Sequence, residues 1–128
     1  MAHRPGDLVR SYLRRVVNER NLSAVDELVA DDYSGSGNGW PVSKPELRAF
    51  YAWQAASRPD WHIDVQDLIK VDDCVVVRAH AGGTITNDEL GRPLAAPRTG
   101  AVEWLAAYRL ADGLIARIDL LAVRSRLG

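Results

Sequence analysis

The chain has 128 residues, with 16 lysines and arginines against 17 aspartates and glutamates, a formal net charge of −1 and one cysteine. That length suits one domain spanning residues 1–128 with one principal core, and the balanced charge offers no basic stripe to neutralise a run of phosphates, so nucleic acid is not an expected partner. No apolar run approaches the roughly 18 residues of a membrane span, the N-terminus lacks the apolar core of a signal peptide, and Cys74 alone cannot close an internal disulfide, so a cytoplasmic protein without membrane contact is expected.

Leu8, Val9, Tyr12, Leu13, Val16 and Val17 recur at helical spacing and predict an amphipathic helix over residues 7–20, with Arg10, Arg14, Arg15 and Arg20 on its solvated face. Ser23 is placed to cap a second helix carrying Val25, Leu28 and Val29. The stretch from Asp31 through Tyr33 into the glycines of residues 34–39 reads as a mobile loop, and lacks the Lys-Ser or Lys-Thr of a phosphate-cradling loop. Ser43 and Glu46 form a capping box with Pro45 in the first turn, so a third helix should run to about Ser57 and stop before Pro59. Its aromatic face, Phe50, Tyr51 and Trp53, suits core packing and is compatible with lining a pocket.

From Trp61 the period changes to two. Trp61, Ile63 and Val65 alternate with polar residues, Asp72-Asp73 marks a turn, and a strand runs from Val75 toward Ile85. After a connection through Gly91, Pro93 and Pro97, two more strands are predicted over residues 99–111 and 114–123. The predicted class is therefore α+β: three N-terminal helices packed on a curved, mainly antiparallel sheet that encloses an apolar pocket.

Asp112-Gly113 between alternating runs favours a two-residue hairpin, which fixes register. With Ala111 opposite Leu114, Tyr108 faces Arg117, Ala106 faces Asp119 and Trp104 faces Leu121, so Asp119 and Arg117 are expected to point into the core face beside Trp104 and Tyr108. A carboxylate beneath an aromatic roof would have the raised pKa of a general acid or base. Paired with Arg117 it would instead stay ionised with a low pKa. Both readings stand on the sequence. Arg78 and His80 share one face of the valine strand and could polarise a substrate oxygen. His62 and Asp64 read as a solvated pair on an edge strand. No metal is expected, since His3, His62, His80 and Cys74 lack ligand spacing, and no serine-nucleophile elbow is present.

The order of elements, with residues 9–18, 22–33 (Leu-Ser-Ala-Val-Asp-Glu-Leu-Val-Ala-Asp-Asp-Tyr), 58–68, 75–78 and 108–119, resembles the SnoaL-like polyketide cyclase branch of the nuclear transport factor 2 superfamily over nearly the whole chain. The resemblance implies a cone-shaped fold, acid–base chemistry inside the cone without metal or organic cofactor, and homodimers formed through the outer sheet face. It implies that Asp119 is the acid–base residue, although the Glu-His-Trp triplet of related members is replaced here by Arg117-Ile118-Asp119. Limonene-epoxide-hydrolase-like members are also similar, but where they pair Arg-x-Asp with a late aspartate this chain has Arg78-x-His80 and Asp119.

The expectation is then a cofactor-independent enzyme of cyclase or isomerase type. Asp119, His80 and Arg78 would be catalytic, and Tyr33, Trp40, Trp53, Trp104, Tyr108 and Arg117 would bind a small apolar or polycyclic molecule. The alternatives are an epoxide-opening enzyme of the same scaffold and a non-catalytic binding module in which Arg117 and Asp119 simply pair.

Overall fold

The structure, a computed structural model, describes residues 4–37, 39–87 and 92–125. His3, the Gly91 connection and Asn38 of the glycine-rich stretch lie outside them. Helix α1, Pro5–Tyr12, begins on the proline at its first position and continues directly as a π-helical segment, Leu13–Asn18. Arg20, at φ 55°, stops it. Asn18 then acts as a strand substitute: its amide donates to the Ile63 carbonyl at 3.0 Å and accepts from the Ile63 N–H at 2.8 Å. This satisfies backbone groups on a sheet edge that would otherwise be open.

Helix α2, Ser23–Leu28, differs from expectation at both ends. Its N-cap is Leu22, and the side-chain oxygen of Asn21, not of Ser23, accepts from the Ser23 N–H and hydroxyl. Val29 already belongs to strand β1, Val29–Ser36. The predicted mobile loop is therefore in large part a strand, parallel to the last strand of the sheet. Close approach explains the glycine that hid it: a Cβ on Gly35 would lie 2.1 Å from the Pro41 carbonyl oxygen and 2.4 Å from the Tyr33 hydroxyl.

Helix α3, Lys44–Ser57, matches the capping-box reading, with Ser43 Oγ accepting from the Glu46 N–H at 3.3 Å. Strands β2 (His62–Val71), β3 (Cys74–Asn87), β4 (Pro93–Ala111) and β5 (Leu114–Ser125) form an antiparallel run, and the five-stranded order is β1-β5-β4-β3-β2. Two-residue turns at Asp72-Asp73 and Asp112-Gly113 join β2 to β3 and β4 to β5, with Asp72, Asp112 and Gly113 all at positive φ. Strand β4 starts earlier than predicted and passes through Pro97.

The β4–β5 register corrects the hairpin reading. Leu110 pairs with Ile115 as expected, but a bulge at Ala116 shifts the ladder so that Arg109 faces Arg117, Tyr108 faces Ile118 and Ala107 faces Asp119. A second bulge at Leu121 brings Trp104 opposite Val123. Without bulges the inward residues would be Ile115, Arg117, Asp119, Leu121 and Val123. With them they are Ile115, Ile118, Leu120 and Val123, all apolar. Burying an ion pair costs several kcal/mol, which a local break in the ladder avoids.

The core lies between the helices and the concave face of the sheet. Leu8, Tyr12, Leu13 and Val16 from the first helical run and Leu47 and Tyr51 from α3 meet Val75, Val77, Ala79, Ala106, Tyr108 and Ile115. Among the described residues no helix is long and apolar enough to cross a membrane.

Candidate functional site

Toward the β1 and α3 side, the concave face leaves a cavity of about 270 Å³. Strand β4 supplies Val102, Trp104, Ala106 and Tyr108 to its wall, and β5 supplies Ile118, Leu120 and Val123. These are the inward positions selected by the two bulges. The opposite wall is aromatic: Trp40, Phe50 and Trp61, with Trp40 and Phe50 edge to face at 5.4 Å and 61°. Trp40 is oriented from behind. Its indole N–H donates to the Tyr33 hydroxyl at 2.9 Å, and that hydroxyl donates to the Pro41 carbonyl at 3.2 Å. Burial pushes the Tyr33 pKa up to about 12, so the phenol stays neutral.

The polar groups on this wall are few. Tyr108 is buried, and burial raises its pKa well above that of a free phenol. Its ring packs against Trp104 and Tyr12 at 6.4 and 6.1 Å, and its hydroxyl has no hydrogen-bond partner among the described residues. Tyr12 spends its own hydroxyl on Tyr51, at 2.8 Å. Gln54 and Arg58 reach the cavity from the end of α3. Pro59 excludes helical geometry at Arg58, which leaves the helix at φ −137° and ψ 70°. The guanidinium is stacked between Trp53 and Trp61, 5.1 and 4.9 Å from their ring centroids. Burial lowers its pKa. Among the described residues lining the cavity there is no carboxylate and no imidazole.

The expected catalytic residues stand elsewhere. Asp119, Arg117, Arg78 and His80 all project from the outer face of the sheet, on the alternate positions to the buried Val77, Ala79, Tyr108 and Ile118. Asp119 accepts from Ser36 Oγ at 2.5 Å and from Arg117 Nε at 2.8 and 3.1 Å, while Arg117 also donates to Ser34 Oγ at 3.0 Å. Partial burial pushes the Asp119 carboxyl up, but the hydrogen bonds from Ser36 and Arg117 outweigh it and hold the pKa below the usual value. This is the ion-pair reading of Asp119, and the expected inward carboxylate is corrected by the Ala116 bulge. His80 Nε2 lies 3.0 Å from Glu103 Oε2, and Arg124 meets the other oxygen of Glu103 at 3.2 Å. The hydrogen bond to His80 leads in lowering the Glu103 pKa. Arg78 pairs with Asp67. His62 and Asp64 form the exposed pair expected of an edge strand, at 3.2 Å.

Of the expected binding residues, the structure brings together Trp40, Trp104 and Tyr108. Tyr33 backs the wall without lining it, Trp53 is 43% exposed with the Arg58 guanidinium over its ring, and Arg117 faces away. The sequence reading missed Gln54, Arg58, Leu120 and the role of Trp61. Two signals could have found them: the 3-2-3 spacing of Ile115, Ile118, Leu120 and Val123, and the Arg58-Pro59 pair at the C-terminal end of a predicted helix between Trp53 and Trp61.

Known structures share this architecture. IdmH, a proposed polyketide cyclase from Streptomyces antibioticus, is 25% identical, with 93% of this chain and 91% of that one covered and a TM-score of 0.75. TsrD from Streptomyces laurentii is 22% identical over 92% of this chain and 84% of its own, also at a TM-score of 0.75. A SnoaL-like polyketide cyclase from Agrobacterium tumefaciens reaches a TM-score of 0.78 at 17% identity, covering 95% and 92% of the two chains. No curated protein matches the sequence. The family model of the SnoaL-like domain matches residues 9–118, most of the length, and the chain belongs to that family.

Proposed function

We propose that this protein is a cofactor-independent enzyme of the polyketide cyclase or isomerase type, that it takes a small, apolar, ring-containing molecule into the concave cavity, and that it is a homodimer joined through the outer sheet face. The family supports the type of reaction. The observation that carries the enzymatic reading is Tyr108, a phenol donor on the wall of an apolar cavity with no hydrogen-bond partner for its hydroxyl among the described residues.

Such a donor is available to a ligand oxygen. Hydrogen-bonded to a substrate carbonyl, it stabilises the enolate that forms when the adjacent carbon loses its proton, an effect worth roughly 2.7–4 kcal/mol for one well-aimed donor. In a cyclisation the enolate carbon attacks a second carbonyl of the same molecule, and in an isomerisation it is reprotonated at another position. The proton travels by solvent or by a basic group of the substrate. The aromatic walls hold the reacting carbons together.

A two-ring ketone, β-tetralone, tests this. In deuterated water the wild-type protein should accelerate exchange of the protons next to the carbonyl, followed by NMR. Tyr108→Phe should lose most of that acceleration, on the order of 10²-fold, while tryptophan fluorescence still reports binding. Equal exchange by the variant removes Tyr108 from the chemistry. Binding without accelerated exchange by the wild type selects the second reading, a non-catalytic binding module, which the ion-paired state of Asp119 favours. Epoxide opening needs a water-activating carboxylate, and none lines the cavity among the described residues.

A further inference from the structure

Among the described residues that line the cavity Arg58 is the charged one, and an apolar ligand does not explain it. It is half-buried, it lines the cavity, and its guanidinium is fixed between two indole faces. The other half-buried arginines have acceptors: Arg15 meets Glu27, Arg117 meets Asp119, and the two terminal nitrogens of Arg20 meet the carbonyls of Asn18 and Trp61, although Arg20 Nε has no partner among the described residues. No carboxylate and no hydrogen-bond acceptor meets the Arg58 side chain among the described residues. The guanidinium carbon lies over the rings of both Trp53 and Trp61, and none of the guanidinium N–H groups donates to an acceptor among the described residues, so the fork that recognises a carboxylate in a bidentate way is unspent. A cation in this setting has lost hydration without gaining a counter-ion, and a ligand anion would return both.

The position within the cavity matters too. Tyr108 pairs with Val75 at one end of β3, whereas the backbone of Trp61, beneath Arg58, lies against Gly83 at the other. The two polar groups are thus mounted at different ends of the concave face, with Trp104, Ala106 and Leu120 between them on the wall.

We infer that the ligand is an aromatic or polycyclic carboxylic acid, whose carboxylate docks on the guanidinium edge of Arg58 while its rings fill the apolar cavity toward Tyr108. This rests on the reading of the cavity as the ligand site and deepens it: Arg58 is a specificity-determining residue that selects acids over neutral analogues of the same shape. Gln54, in the last turn of α3, lines the same wall and carries an amide that can donate a further hydrogen bond to the acid.

The probes are 2-naphthoate and its neutral isostere 2-naphthamide, titrated against the intact protein with intrinsic tryptophan fluorescence and checked by calorimetry. The wild type should bind the acid about ten-fold or more tightly than the amide, the scale of a charge-assisted hydrogen-bonded pair. Arg58→Gln should abolish that preference by weakening the acid about ten-fold more than the amide, and Arg58→Lys should retain part of it. Near-UV circular dichroism of each variant confirms that the tryptophan packing survives, so Arg58→Lys keeps the test open should Arg58→Gln not fold. Equal binding of acid and amide by the wild type, with both weakened by Trp104→Ala, overturns the acid inference and leaves the cavity as the ligand site. A preference for acid that persists in Arg58→Gln also overturns it. Saturable binding of neither probe overturns the inference together with the cavity reading beneath it.

Discussion

Asp119 sits between a hydroxyl and a guanidinium, and that pairing defines what its removal should do. Its folded pKa is depressed, so its contribution to stability is present above the unfolded carboxylate value of about 3.9 and is lost as pH falls through the folded value. Asp119→Asn should therefore lower stability by about 1 kcal/mol at pH 7, the scale of one hydrogen bond and a part-exposed ion pair. In urea melts the difference from wild type should shrink as pH falls below the unfolded carboxylate value and through the folded one. Ligand binding in the cavity should not change, because Asp119 projects from the opposite face of the sheet. A wild-type-like melt at pH 7 would mean that Ser36 and Arg117 stabilise the outer face equally well without the carboxylate. At this scale the sequence is informative about identity and misleading about direction: alternation places Trp104 and Tyr108 on the cavity wall, and would place Asp119 there with them were the ladder not turned around by one extra residue, Ala116.

Strand β1 carries the corresponding lesson for elements. Its partner is β5, more than 80 positions later, and a parallel pairing of that kind leaves no local signature. Serines and glycines at alternate positions concealed it, while Tyr33, the one large residue in the run, was the visible trace of its inward face. By contrast α3 and both two-residue hairpins were legible, because capping boxes and Asp-Gly turns depend on neighbours in sequence. The bulges of β5 fall between these cases. Apolar spacing of 3-2-3 encodes them, yet only when the cost of burying Arg117 and Asp119 is weighed against the cost of breaking the ladder. Gly35→Ala probes β1 directly. The added methyl would meet the Pro41 carbonyl and the Tyr33 hydroxyl that orients Trp40. A cost of about 2 kcal/mol and a Tm lower by roughly 8 °C are expected. Naphthoate affinity should fall as well, since the disturbed hydroxyl holds a cavity wall in place. Unchanged melting would place β1 farther from residues 40–41 than described.

The two faces of the sheet divide the work of the whole molecule. The concave face supplies the core and the cavity, and the outer face carries charged side chains that are largely paired within the chain: Arg78 with Asp67, His80 and Arg124 with Glu103, Arg109 with Asp73, and Arg117 with Asp119. Between and beside those pairs Ile69 and Val71 of β2 and the bulged Leu121 of β5 are more than half exposed, at 59%, 55% and 55%. Charges neutralised in place cost less to desolvate than unpaired ones, and exposed aliphatic side chains gain from being covered, so this surface suits a second copy of the chain. The proposed homodimer should therefore sediment at about twice the 14.1 kDa chain mass at tens of micromolar protein. Leu121→Glu adds an unpaired charge at a position that no ladder bond fixes and should shift the protein to monomer without a matching loss of fold by circular dichroism. Because the cavity is built from inward residues of a single chain, the monomer should still bind 2-naphthoate with wild-type affinity within about two-fold. A wild-type protein that sediments as a monomer would refute the outer-face dimer, and a dimeric Leu121→Glu would place the interface on another surface. Loss of binding on dissociation would show that a second chain helps shape the site.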